Sequence, residues 1–154
     1  MIKISPAILQ AVSKPARYTG GEVNAVHKEH SSVSCKFALS MPDVYEVGMS
    51  NLGLKILYEV LNRRSDVAAE RVYTPWPDME AKMRENNIPL YSLESFTPLM
   101  DFDFIGFSLQ YELSYTNILN MLDLAGIHLF SKDRENQEPF IIGGGPCVFN
   151  VEPI

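Results

Sequence analysis

The segment Pro42-Asp43-Val44-Tyr45-Glu46-Val47-Gly48-Met49-Ser50-Asn51-Leu52-Gly53-Leu54 constrains this chain more than any other stretch. An apolar run from Val33 to Leu39 precedes it and an amphipathic helical pattern follows it. That order makes it the first strand-to-helix loop of an α/β unit, the place where open parallel sheets bind ligands.

The rest of the chain repeats the same alternation. Residues 33–40 read as a strand with Cys35, Phe37 and Leu39 on one face. A helix capped by Ser50 or Asn51 follows, with Gly53, Ile56, Leu57, Val60 and Leu61 predicted on its inner face and Arg63 and Arg64 at its C-terminal end. A second strand is expected at Glu70 to Thr74, broken by Pro75-Trp76-Pro77. Asp78 is the predicted cap of a short helix to about Asn86, with Met79 and Met83 inward. Asn87 to Ser95 reads as a short extended segment. Phe102 to Leu109 is a third strand, too apolar to face water. The next helix carries Tyr115, Ile118, Leu119, Leu122 and Ala125 on one face and ends at Gly126. After a polar connection, Ser131 to Glu138, Phe140-Ile141-Ile142 is predicted as a short buried strand leading into Gly143-Gly144-Gly145-Pro146. The tail from Val148 to Ile154 carries no stop signal.

Strands alternating with helices imply an α/β fold: a flavodoxin-like or Rossmann-like doubly wound, mainly parallel sheet. The pattern supplies four strands where such sheets commonly have about five, so the chain is expected to stop before its last strand. The domain reading is an N-terminal arm over 1–32 and an α/β domain over 33–154. Within the arm, Ile8, Leu9 and Val12 form a short helix, and Lys14 to Gly21 has the composition of an ordered loop.

Composition removes several classes of function. A net charge of −6 argues against nucleic-acid binding through phosphate neutralisation. No apolar stretch approaches the roughly 18 residues of a membrane span, and the N-terminus has no secretory pattern, so the cytoplasm is the default. Cys35 and Cys147 stand far apart and form no Cys-x-x-Cys or iron–sulfur triplet.

Three loops are expected to meet at the carboxyl edge of the sheet: Asp43 to Gly48, Ser108 to Glu112 and Gly143 to Pro146. Ser108 and Gln110 can hydrogen-bond amide or phosphate groups. Gly143, Gly144 and Gly145 let the backbone approach a flat or anionic ligand closely, although alone they equally read as a tight strand exit. No Gly-x-Gly-x-x-Gly follows the first strand and no Gly-x-x-x-x-Gly-Lys-Ser/Thr occurs. The Ser/Thr-rich loop of a flavin mononucleotide site and the acidic cluster of a phospho-receiver are also missing. His27-x-x-His30 lies in a polar loop without an obvious third ligand and reads as solvated. Trp76, between two prolines, is either a packed connector or a contact surface.

The loops carry a resemblance. Asp43-x-Tyr45-x-x-Gly48, Ser108 and Gly143-Gly144 fall in the order of the three motifs of cobalamin-binding domains: Asp-x-His-x-x-Gly, Ser-x-Leu and Gly-Gly. Here the second reads Ser108-Leu109-Gln110, and Tyr45 stands where those domains place the cobalt-ligating His. More specifically, the chain resembles the N-terminal region of a family of uncharacterised bacterial radical S-adenosylmethionine (SAM) Fe-S proteins with a cobalamin-binding-like domain. The resembling stretches are 15–24, 42–53, 69–76, 106–112 and 143–146, which together span nearly the whole chain.

The resemblance implies a longer parent, a radical SAM oxidoreductase or transferase. Its SAM and 4Fe-4S cluster would sit on a barrel beyond this chain, and that barrel would be the domain's partner. It assigns cofactor-binding roles to Asp43, Tyr45, Gly48, Ser108, Gln110, Gly143, Gly144 and Gly145, with no catalytic residue and no protein metal ligand in this piece. A phenol has an ordinary pKa of about 10, so Tyr45 would have to lose its proton to ligate cobalt. Two readings stay open: cobalamin bound without a protein ligand, or a crevice kept for docking on the barrel or for substrate. A small-ligand or nucleotide module using the glycine loop is the third. A sheet edge left bare also allows a homodimer.

Overall fold

The computed structural model describes residues 2–150; residues 151–154, the end of the predicted tail, lie outside the described residues. Four strands form one parallel sheet: β1 Cys35–Met41, β2 Val67–Tyr73, β3 Phe104–Ser108 and β4 Phe140–Gly144. Their order is β2-β1-β3-β4. The helices are α1 Pro6–Gln10, α2 Tyr45–Ser50, α3 Leu52–Asn62, α4 Pro77–Glu85 and α5 Tyr115–Ala125. This is the doubly wound flavodoxin-like arrangement, whose strand order reverses between β1 and β3.

The two faces are covered unequally. Ala38, Val72, Ile105 and Phe107 pack beneath α4 and α5, where Met79, Met83, Met121 and Leu122 are buried. The arm joins this core through Ile8, Val12 and Tyr18. On the other face, Leu39, Met41, Ala69 and Tyr73 pack with Leu54 and Tyr58 of α3. Both sides of β1 are thus shielded, as a central parallel strand requires.

Several local expectations hold. Asn51 Oδ1 accepts from Leu54 N at 2.9 Å and caps α3. Gly126 ends α5 at φ 72°, a conformation that costs glycine little. Others shift. The first helix is two: α2 begins at Tyr45, and Asn51 with ψ 114° breaks it from α3. Trp76, with Pro77 in the first helical position, takes the cap position of α4 that Asp78 was expected to fill. Asp78 instead accepts from Ser13 N at 2.8 Å.

Two corrections matter for function. On α3 the buried residues are Leu54 and Tyr58, while Ile56, Leu57 and Val60 are about half exposed. β4, predicted as buried, is an exposed edge, with Phe140 at 72% and Ile142 at 47% exposure. Phe37, Phe104 and Phe140 stack in a row across β1, β3 and β4, with ring centroids 5.9 and 5.6 Å apart.

Candidate functional site

The three predicted loops do meet. The Tyr111 hydroxyl donates to Asp43 Oδ2, joining the loops after β1 and β3 across the point where the strand order reverses. Leu109 N donates to the Gly144 carbonyl at 2.6 Å, and Cys147 N donates to the Leu109 carbonyl at 3.2 Å. Gly145, at φ 117°, sits against this pair; a Cβ there would lie 2.6 Å from the Leu109 carbonyl oxygen. That position requires glycine on two counts. Asp43 is fixed further: its carbonyl accepts from Thr74 N at 2.9 Å, and its Oδ1 accepts from Val44 N at 2.7 Å.

Beside these loops runs a groove of about 450 Å³ between α3 and the exposed face of β1, β3 and β4. Ser108, Gln110 and Gly143 to Gly145 line it, joined by residues the sequence did not single out as site residues: Phe37, Gly106 and Ile142. Gly106 makes its floor possible, because a Cβ there would lie 2.8 Å from the Phe37 ring. Leu57 and Val60 of α3 form the opposite wall. The missed signal was the breadth of the apolar stripe on α3, which exceeds what one buried face needs.

Asp43, Tyr45 and Gly48 do not line the groove. Gly48 packs under Tyr73; a Cβ on it would lie 2.1 Å from Tyr73 Cε1. Tyr45 turns toward the arm, where its hydroxyl donates to Glu22 Oε2 at 2.8 Å and its ring meets Tyr73 edge-on at 5.8 Å. Burial, then the bond to the Glu22 carboxylate, pushes the Tyr45 phenol up to about 12. With its hydroxyl committed to Glu22, Tyr45 presents no ligand atom to the groove. Among the described residues, no group of three or more His, Cys, Asp or Glu side chains is placed to hold a metal ion. His30 is engaged elsewhere, with Nε2 2.7 Å from Glu70 Oε1.

Around Tyr45 lies a polar network that the sequence did not announce. Arg71, buried on β2, donates from Nε to Glu94 Oε1 at 2.6 Å. Its guanidinium lies 4.5 Å from the Tyr58 ring centroid. Burial pushes the Glu94 carboxyl up, against the pull of Arg71. On the surface, Arg17 donates to Glu46 at 2.9 Å and covers the Trp76 ring at 5.1 Å.

Residues 53–154 match the family described as radical SAM proteins, N-terminal. The chain belongs to that family. This radical SAM N-terminal domain is also similar to an uncharacterized protein of Methanocaldococcus jannaschii, 28% identical over 119 residues. The match covers 76% of this chain and 21% of the relative, so the chain spans about a fifth of that relative's length. No solved structure matches it. No helix among the described residues is long and apolar enough to cross a membrane.

Proposed function

We propose that this radical SAM N-terminal domain carries a cobalamin-class cofactor without supplying a ligand to its cobalt. The observation that supports the reading is the groove beside Ser108, Gln110 and Gly143 to Gly145. Its volume of about 450 Å³ falls within the 300–1,000 Å³ typical of small-molecule sites. It is smaller than a corrin, but it suits the planar base of the cofactor's nucleotide-like tail. The groove residues thus fit such a group; Tyr45, tied to Glu22, does not fit as an axial ligand. Ser108 and Gln110 would give the tail hydrogen bonds, and the apolar floor and wall would exclude water from it. When bound, the cofactor would supply cobalt chemistry to a reaction carried out elsewhere on the parent.

That parent would be a longer polypeptide whose SAM and 4Fe-4S cluster belong to a barrel beyond residue 154. A second reading has its own support. Ile56, Leu57, Val60, Phe140 and Ile142 leave an apolar face open beside the groove. In a protein the size of the M. jannaschii relative, the rest of the polypeptide is the natural cover for it. On that reading the domain docks on the barrel and binds no cofactor.

Titration of the domain with hydroxocobalamin, followed by absorbance and calorimetry, separates the two. Saturable binding supports the cofactor reading. Heat and spectra that never saturate leave the docking reading.

A further inference from the structure

We propose that the cleft beneath the N-terminal arm is a second binding site, for an oxyanion, with Arg71 as its floor and Lys55 at its rim. It is separate from the groove. Helix α3 divides the two: Leu57 and Val60 face the groove, whereas Lys55, Tyr58 and Glu59 border the cleft. The cleft has a volume of about 630 Å³ and is roofed by Glu22 to Val26. Tyr58 ties roof to floor, its hydroxyl oxygen accepting from Val26 N at 2.7 Å.

Arg71 is the reason to expect a ligand. It is 94% buried, and a buried guanidinium needs partners for its N–H groups. Nε is satisfied by Glu94, but Nη1 has only the Met49 sulfur at 3.4 Å, a weak acceptor. Nη2 is buried with no hydrogen-bond partner at all. Leaving such a donor empty is costly, so an unsatisfied one beside a cavity points to a missing acceptor.

Two acids border the cleft: Glu59 is paired with Arg63 at 3.1 Å, whereas Glu22 accepts from the neutral Tyr45 phenol and keeps its charge, so an oxyanion is held by hydrogen bonds at the Arg71 end rather than by the net charge of the cleft. Among the described residues Lys55 has no acidic partner. Met49 is the movable piece. Its sulfur accepts from Arg71 Nη1 at 3.4 Å and from the Tyr73 hydroxyl at 3.2 Å, and swinging this flexible side chain aside frees Nη1 beside the unpartnered Nη2. Those two nitrogens form a planar fork that matches the paired oxygens of a carboxylate or phosphate. The class of ligand is therefore a small molecule presenting one such group to Arg71, with Lys55 adding charge at the mouth.

The test is a titration of the 154-residue chain with sodium phosphate and, separately, sodium acetate. Both are run against sodium chloride of matched ionic strength and followed by 1H–15N NMR. The proposal expects a saturable shift of the Arg71 Nε–H and of the Val23 to Val26 amides. Saturation by phosphate alone identifies a phosphoryl group as the ligand's handle; saturation by acetate identifies a carboxylate. Lys55→Ala, an exposed change that leaves the fold intact, should weaken binding about two- to fivefold, the scale of one rim charge. Arg71→Lys, if it folds, should abolish it. Shifts no larger than those with chloride, or an affinity unchanged in Lys55→Ala, would overturn the proposal.

Discussion

The Tyr45 hydroxyl donates to the Glu22 carboxylate at 2.8 Å, tying the loop after β1 to the N-terminal arm. This bond turns the Tyr45 ring away from the groove and makes the residue a structural link. Tyr45→Phe should lower stability by about 0.5–1.5 kcal/mol, the usual net worth of one hydrogen bond, measured by urea unfolding.

Burial of Tyr45, and after it the same bond, sets an alkaline limit. The folded Tyr45 phenol holds its proton up to about 12, above its ordinary value of 10, so folding favours the neutral form. That contribution is complete below about pH 10 and is lost as pH rises toward 12. Tyr58 behaves in the same direction, also up to about 12 through burial. Tyrosinate absorbance should therefore show both residues titrating late, with the amplitude of the late phase reduced in Tyr45→Phe. The melting temperature should fall over the same interval.

Two glycines should respond very differently to alanine. At Gly48 the added carbon would lie 2.1 Å from Tyr73 Cε1, in a ring that is buried, so Gly48→Ala should cost about 1–3 kcal/mol. At Gly144 the same carbon meets nothing within 4 Å, and Gly144→Ala should change stability by no more than about 0.5 kcal/mol. Paired urea titrations distinguish these outcomes.

The Arg71–Glu94 pair is buried on both sides, with side chains 8% and 1% exposed. Glu94→Ala leaves the guanidinium without its acid and should cost about 3–5 kcal/mol. Total stability of a domain is only about 5–15 kcal/mol, so this variant should be close to unfolding at room temperature by circular dichroism.

Glu46 makes the arm sensitive to acid. Lys14 and then Arg17 hold its carboxyl at about 2, below the ordinary 4.5. Its contribution is present above about pH 4.5 and is lost as pH falls toward 2. Arg17, once released, should move from Trp76, the one tryptophan of the chain. Trp76 emission should stay constant from neutral pH through 4.5 and change only as the folded Glu46 takes up its proton, near pH 2. In Arg17→Ala that acid transition should be absent.

Much of the fold was legible because its periodicities are simple. The apolar runs at β1 and β3, the inward Met79 and Met83 and the stop at Gly126 follow directly from alternation, helical spacing and glycine conformation. α3 was misread because more of its surface is apolar than the face it buries. Leu54 and Tyr58 pack inward, while Ile56, Leu57 and Val60 stand at the groove or in the open. β4 was misread for a related reason: an apolar strand looks the same in sequence whether or not its cover is present.

The candidate site was half legible. Ser108, Gln110 and Gly143 to Gly145 reach a common groove because consecutive strand ends meet at one edge. Asp43, Tyr45 and Gly48 share that edge in sequence, but their contacts with Tyr111, Glu22 and Tyr73 depend on residues 23 or more positions away. No local pattern carries such partners. The partly unsatisfied Arg71 was likewise invisible until Glu94 and Met49 were seen around it.

The central claim is that the groove, without Tyr45, holds a cobalamin-class cofactor. Hydroxocobalamin titrations of the wild type, Tyr45→His and Ile142→Trp test it most directly, because Ile142 is half exposed and lines the groove. The account predicts saturable binding by the wild type and an unchanged cobalt spectrum in Tyr45→His. It also predicts at least about tenfold weaker binding in Ile142→Trp. Absence of saturable wild-type binding, or full affinity in Ile142→Trp, would contradict it.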